Sequence, residues 1–298
     1  MRFKRVYVEI SNLCNLQCAF CSPLKRPKGM MTTEQFRAAA EQLRPYTHYL
    51  YLHLKGEPLV HPGLEEILGI CGKLGFEVNI TTNGTLLKEK EEILFRQKAV
   101  RQVNLSVHSF SQIPAAEARQ CLLDAVAFGK RAVQQGRPFV IYRMWNLGKG
   151  KVIDPESLEI LEQIGAEFPT AHNLAAELQE NKSAAVAKGI FLSWEEEFTW
   201  PSLDAPSVPD SGKCYGTRQM LGVLCDGTVV PCCLDGNGEE PLGNLFQTPF
   251  SEIVESEGLQ KAASGFDGGK AVLELCKHCT YRLKFKPGKG NNNGSKEI

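Results

Sequence analysis

Three cysteines stand within eight residues, Cys14-Asn-Leu-Gln-Cys18-Ala-Phe-Cys21, directly after an apolar run at 5–10 that reads as a β-strand. Thiols this close converge on one point, and thiolate is the ligand that iron–sulfur clusters use. Three ligands on a four-iron cluster leave one iron open, and an open coordination position suits chemistry. A structural zinc site wants four ligands, and no fourth Cys or His stands nearby in sequence. Six more cysteines, at 214, 225, 232, 233, 276 and 279, gather near the other end, so nine of the chain's eleven lie in two groups. A secreted disulfide protein is usually shorter and spreads its cysteines more evenly. In a reducing compartment this distribution argues for metal or cluster ligation. Cys71 and Cys121, inside helical patterns, read as buried apolar thiols.

Strand-like and helix-like patterns alternate from residue 5 to about 193. Strands are expected at 5–10, 48–54, 76–81, 100–107, 139–144 and 189–193. Helices are expected at 33–44 with Thr32 or Thr33 as cap, at 63–74 stopped by Gly75, at 88–96, over a long stretch ending near Gly136, and at 154–164. Such alternation implies parallel strands joined by right-handed crossovers. Six units fall short of a full eight-fold barrel, and an open partial barrel or a doubly wound sheet satisfies the periodicity equally. After Trp200, the prolines at 201, 206 and 209 mark a boundary near 200–212. Beyond it Asp226-Gly227 predicts a β-hairpin, followed by a short helix at 249–257. The final stretch, 286–298, carries no apolar pattern and reads as a disordered tail.

Composition narrows the function. Acidic and basic residues balance at 34 each, so no overall field draws the chain to nucleic acid or a membrane surface. No apolar run approaches the roughly 18 residues of a membrane helix, and the N-terminus does not read as a signal peptide, so a cytoplasmic location is expected.

Taken with the motifs that follow it, the cysteine triplet resembles the radical S-adenosylmethionine (SAM) superfamily. The spacing Cys-x3-Cys-x2-Cys, with Phe20 before the last cysteine, is the family's cluster motif. Lys55-Gly56-Glu57-Pro58 at the end of strand two resembles the glycine-rich element that contacts the SAM amino group, with Lys55 in place of its first glycine. Thr81-Thr82-Asn83-Gly84 is similar to the family's third-strand element. Ser106 is kept on strand four, where His108 replaces a common acid. Arg143, on strand five, is a candidate partner of the SAM carboxylate. The resemblance implies a [4Fe-4S] cluster on Cys14, Cys18 and Cys21. SAM is then cleaved to a 5′-deoxyadenosyl radical that abstracts hydrogen, with electrons from a flavodoxin or ferredoxin. Cofactor contacts are expected at Phe20, Gly56, Glu57, Thr82, Asn83, Ser106 and Arg143. His53 and His108 are candidates for proton transfer.

The C-terminal cysteines resemble the SPASM and twitch domains that follow many such cores: Cys214, then Gly227 and Cys232, then the Cys276-Lys-His-Cys279 knuckle. The resemblance implies one auxiliary [4Fe-4S] cluster on Cys214, Cys232, Cys276 and Cys279, and four such thiolates would hold zinc as well. Cys232 and Cys233 point to opposite faces of a strand, so only one of them reaches a shared cluster. Cys225 and Cys233 are free thiols or substitute ligands. The expected architecture is α/β: a partial (β/α)6 barrel of radical SAM type over 1–200, then a small hairpin-plus-helix cluster domain over 201–285. The expected substrate is a peptide or protein side chain. The alternatives are a small molecule, as for a queuine-salvage lyase, and a non-catalytic iron–sulfur or zinc protein. With no winged-helix peptide-binding domain ahead of residue 1, a small substrate or a separate recognition partner gains weight.

Overall fold

The computed structural model describes residues 2–147, 153–168, 174–196 and 198–285. The tail expected at 286–298 and His172 lie outside them. Within the described residues the chain forms β1 (Arg5–Val8), α1 (Thr33–Leu43), β2 (Tyr49–Tyr51), α2 (Leu64–Lys73), β3 (Glu77–Thr82), α3 (Leu87–Arg96), β4 (Val100–Leu105), α4 (Ala115–Gln135), β5 (Phe139–Leu147), α5 (Pro155–Glu167), α6 (Leu174–Glu180), β6 (Ser183–Ala187) and β7 (Ile190–Glu196). The C-terminal part adds β8 (Met220–Val223), β9 (Thr228–Val230), β10 (Gly243–Asn244), α7 (Phe250–Glu255), α8 (Glu257–Asp267) and α9 (Glu274–Lys277). The strands join in one sheet ordered β10-β9-β8-β1-β2-β3-β4-β5-β7-β6. Its centre, β1-β2-β3-β4-β5-β7, is parallel throughout, giving the partial (β/α)6 barrel.

Local signals explain most boundaries. Thr32 caps α1 with a reciprocal box: it accepts from Gln35 N at 3.1 Å, and Gln35 Oε1 accepts from Thr32 N at 2.8 Å. Asp154 caps α5 by accepting from Ser157 N at 2.8 Å. Gly136 closes α4 at φ +69°, in the left-handed region that a side chain disfavours.

Several expectations need correction. The second strand runs only Tyr49–Tyr51, because beyond Leu52 the chain leaves the ladder and Glu57 N donates instead to Leu13 O at 2.8 Å. The fourth strand stops at Leu105, where Ser106 opens a 3-10 turn over Val107–Gln112. The sixth parallel strand is longer than expected and carries an antiparallel neighbour, β6. The helix expected at 249–257 is α7, and a second helix, α8, follows it directly. Cys71 is fully buried as expected, but Cys121 is half-buried on α4.

Strand alternation divides the barrel in two chemistries. Val6, Val8, Val78, Ile80, Val103, Leu105 and Val140 form the apolar core with the helices. Their neighbours Arg5, Tyr7, Tyr51, Thr81, Gln102, Asn104 and Arg143 line the interior, so polar groups are set into a largely apolar inner wall. The C-terminal hairpin is continuous with this wall: β8 pairs in parallel with β1, from Arg5↔Met220 to Val8↔Val223.

Candidate active site

The loop that leaves β1 is tied at its base. Ser11 bridges Met30, and Asn12 donates to Pro27 O at 2.9 Å while accepting from Gly29 N at 2.8 Å. Three neighbours then hold the cysteines between them. Asn83 donates to Asn15 Oδ1 at 2.9 Å and approaches Cys14 Sγ at 3.8 Å. Ala19 N donates to Gln112 Oε1 at 3.1 Å. Trp200 Nε1 donates to Phe20 O at 2.9 Å. All three cysteines are free thiols facing one cavity of about 460 Å³ at the C-terminal ends of the parallel strands.

Every N-terminal residue singled out from sequence lines that cavity: Phe20 beside the cysteines, Gly56 and Glu57 after β2, Thr82 and Asn83 after β3, Ser106 after β4, and Arg143 on β5. His53 and His108 line it too. Gly56 is required by backbone geometry, since φ is +76° and a Cβ would lie 2.4 Å from Ser11 O. Glu57 joins two strand ends: it accepts from Leu59 N at 2.9 Å and from Asn83 N at 2.7 Å. Burial nonetheless pushes its carboxyl up to about 7, so a cationic ligand beside it would draw it into the charged form.

Arg143 donates to Thr81 Oγ1 at 3.3 Å and stacks over Trp145 at 3.7 Å. No carboxylate lies within ion-pair distance of it among the described residues, and burial pulls its guanidinium down to about 10. An anion would be welcome there. His108 Nδ1 lies 2.9 Å from Arg143 O, a carbonyl that can only accept, so Nδ1 carries the proton and Nε2 is left as acceptor. Burial lowers His108 to about 4 and, with the charge of Arg143 second, His53 to about 3. Both imidazoles are therefore neutral at physiological pH.

The donor set fits a cluster. Burial and the charges of Cys14 and Cys21 push the Cys18 thiol up to about 11, so these sulfurs ionise together only around a polycation. Among the described residues, no group of three or more His, Cys, Asp or Glu is placed to hold a single metal ion. A four-iron cluster makes a different demand, because each thiolate binds a separate iron.

The second cysteine set forms around the end of the chain. Cys214, Cys276 and Cys279 influence one another electrostatically, and Cys232 feels Cys214 and Cys276. Arg282, 2% exposed, threads this set: it donates to Cys276 O at 2.7 Å, to Ser211 O at 2.9 Å and to Pro209 O. Its charge lowers the thiols of Cys214, Cys276 and Cys279 against the dominant effect of burial, which raises all three. The two surplus cysteines part company. Cys225 lies 3.6 Å from Arg26, beside buried Glu9. Cys233 lines the active-site cavity.

Sequence reasoning gave no role to Trp200 or Arg282, named Lys55 only as a departure from the motif, and left Cys233 as a free thiol or substitute ligand. Lys55 replaces a glycine and reaches back to the cysteine loop, donating to Ser22 O at 2.5 Å and lying 4.7 Å over the Trp200 ring. A lysine inside a glycine-rich cofactor motif was the available signal. Trp200 and Phe198, with Phe20 and Cys21, also border an outer groove of about 570 Å³ that adjoins the cavity.

Comparison with known proteins matches these two regions separately. The model of the radical SAM superfamily matches residues 8–145, and that of the SPASM iron–sulfur cluster-binding domain matches 214–280. The PqqA peptide cyclase of Streptomyces rochei is 24% identical over 306 residues, covering 92% of this chain and 81% of its own. The antilisterial bacteriocin subtilosin biosynthesis protein AlbA of Bacillus subtilis is 36% identical over 276 residues, covering 85% of this chain and 60% of its own. Among solved structures, Streptococcus suis SuiB bound to its precursor peptide SuiA superposes with a TM-score of 0.61 at 16% identity, over 96% of this chain and 74% of SuiB. BtrN in complex with AdoMet and 2-DOIA superposes with a TM-score of 0.56 at 18% identity, over 94% of each chain. At such identities the superpositions speak for the fold.

Proposed function

This chain belongs to the radical SAM superfamily and carries a SPASM iron–sulfur domain, and from that premise we propose that it modifies a side chain of a peptide or protein substrate. The observation that carries the proposal is the outer groove, which adjoins the inner cavity past Phe20, Phe198 and Trp200. An extended peptide can lie in such a groove and insert one side chain. The cyclase, the subtilosin protein and SuiB, which are named for peptides or bound to one, support the same reading.

In this proposal Cys14, Cys18 and Cys21 hold the catalytic cluster, and Cys214, Cys232, Cys276 and Cys279 hold one auxiliary cluster. Residues 1–200 form the core and 201–285 the auxiliary domain. When bound, the reduced cluster and SAM supply a 5′-deoxyadenosyl radical that abstracts hydrogen. Glu57 receives the SAM ammonium, with Gly56 allowing close approach and Asn83 and Thr82 flanking it. Arg143 and Ser106 receive the carboxylate, and Phe20 walls the site. His53 and His108, neutral and desolvated, accept protons from the substrate. The chain works in the cytoplasm with a flavodoxin or ferredoxin as electron donor. Among the described residues no helix is long and apolar enough to cross a membrane.

The test is anaerobic reconstitution followed by incubation with SAM, dithionite and short peptides encoded beside the gene. Release of 5′-deoxyadenosine and a mass change in one peptide are expected, and both vanish with Cys18→Ala. Turnover of SAM without modification of any such peptide, but with a small-molecule product, would replace the peptide reading.

A further inference from the structure

Glu9 lies just past β1, fully buried, and its carboxylate joins three separate segments. Arg26, on the chain leaving the cysteine triplet, donates to both carboxylate oxygens. Lys55 N, which opens the Lys55-Gly56-Glu57 turn, donates to Oε2 at 3.1 Å. Cys225 N, in the turn between β8 and β9, donates to Oε1 at 3.2 Å. Arg26 Nε then donates to Gly236 O at 2.8 Å. Residues 225 and 236 bracket Cys232 of the auxiliary set, so the pair holds the segment that carries it at both ends. Asn237 fastens the same two loops, accepting from Lys25 N at 3.0 Å and donating to Pro23 O at 3.1 Å. Gly236 also passes so close to the turn that a Cβ on it would lie 2.8 Å from Lys55 Cγ. A carboxylate has about four lone-pair sites, and here each has its donor. Glutamine would offer one oxygen and set an N–H against a donor, so this junction requires the charged residue. Neither Glu9 nor Arg26 lines the cavity, and whatever they contribute to the site passes through the segments they hold.

We propose that Glu9 and Arg26 are positioning residues that make the Lys55-Gly56-Glu57 turn, and so SAM binding, depend on the auxiliary segment 225–236. The proposal rests on the radical SAM reading and adds a coupling between its two sites. One carboxylate holds both Lys55 N and Cys225 N, so loosening the segment around Cys232 removes a donor from a buried charge. The carboxylate then resettles and takes the turn with it. Glu57 stands two residues on, and its backbone N donates to Leu13 O at 2.8 Å beside the cysteine loop. A displaced turn therefore changes where Glu57 meets the cofactor. Coupling of this kind is reciprocal: an ordered auxiliary site tightens SAM binding, and bound SAM tightens the auxiliary site.

The test needs no identified substrate. SAM affinity is measured by anaerobic calorimetry on the reconstituted holoenzyme, on Cys276→Ala, on Glu9→Gln and on the double variant, each with its iron content determined. Cys276→Ala unloads the auxiliary site at a residue far from the turn and weakens SAM binding about five-fold or more. In the Glu9→Gln background, where binding is already weak, the same replacement adds no further loss. Losses that multiply independently in the double variant overturn the proposal, because a purely structural Glu9 has no reason to erase the effect of Cys276. A second variant separates positioning from stability. Glu9→Met combined with Arg26→Met removes both buried charges, so its melting temperature recovers relative to Glu9→Gln. Its SAM affinity stays low, since Lys55 N and Cys225 N still lack their shared acceptor. Wild-type affinity in that variant overturns the proposal. If Glu9→Gln takes up no iron at the first site, the paired variant decides alone. A wild type that binds neither iron nor SAM removes the parent reading instead.

Discussion

The ammonium of Lys55 stands 3.8 Å from the sulfur of Cys21. A position where the related motif has glycine thus places a buried positive charge against a proposed cluster ligand. The backbone N of Lys55 also donates to Glu9 Oε2 at 3.1 Å, and Glu9 is fully buried beneath the cysteine loop in an ion pair with Arg26.

Replacing Lys55 by Met removes that charge but keeps the chain length. The reduced cluster, which carries one more negative charge, loses more stabilisation than the oxidised one. The midpoint potential of the N-terminal cluster should move to more negative values, with Lys55→Arg in between. A redox titration followed by electron paramagnetic resonance measures it. The lost charge-assisted bond to Ser22 should also cost about 1.5–3 kcal/mol of stability.

Gly56→Ala is the most damaging single methyl expected. The left-handed φ and a contact of 2.4 Å to Ser11 O leave no room for it, since the obstacle is backbone. A loss on the order of 3 kcal/mol is expected, from strain plus displacement of the loop base. Thermal melting of the variant and weaker SAM binding by calorimetry check it.

Iron counting separates the two cysteine sets. The wild type should bind about eight irons per chain. Cys18→Ala and Cys276→Ala should each bind about four, and Cys18→Ala alone should abolish 5′-deoxyadenosine release. A wild-type count near four that Cys276→Ala leaves unchanged would remove the auxiliary cluster.

Arg282→Met should unload the C-terminal site while sparing the first. Three carbonyls, on Cys276, Ser211 and Pro209, lose their donor, and the thiolates lose a buried cation. Destabilisation on the order of 3 kcal/mol is expected. Mössbauer spectra should show one cluster environment in place of two.

His53 and His108 should make the protein acid-sensitive above the usual carboxylate range. Their folded values, about 3 and about 4, lie below the ordinary 6.5, so the unfolded chain takes up protons first as pH falls. The stability each contributes is complete above 6.5 and is lost as pH drops toward its folded value. Between pH 7 and pH 5 each should cost about 2 kcal/mol. Melting temperatures at the two values should converge in His108→Asn relative to wild type.

Much of this site was legible because its parts are local. Cys14, Cys18 and Cys21 lie within one loop, and Gly56, Asn83 and Ser106 stand in short motifs near strands that alternation reveals, although it set the ends of strands two and four too late. Glu57 was legible as a candidate cofactor contact but not as the link between two strand ends, which depends on Asn83 N. The contacts that were not legible join distant segments: Trp200 to Phe20, Arg282 to Ser211, and Cys225 N to Glu9 Oε1 at 3.2 Å. No periodicity encodes them. Cys232 and Cys233 were expected to part on a strand, but β9 ends at Val230 and both lie in the turn beyond it; that Cys233 lines the cavity emerges only once the sheet is closed around it.

The parallel pairing of β8 with β1 has a consequence for synthesis. The first strand emerges from the ribosome about two hundred residues before its outer neighbour. At roughly 5–20 residues per second, its flank stays unpaired for some tens of seconds. During that interval Glu9 lacks the amide of Cys225, and the loop bearing Cys14, Cys18 and Cys21 rests on an unfinished floor. Iron delivered to the nascent chain would meet ligands not yet held in place, so loading of the first site belongs after translation, once the hairpin has docked.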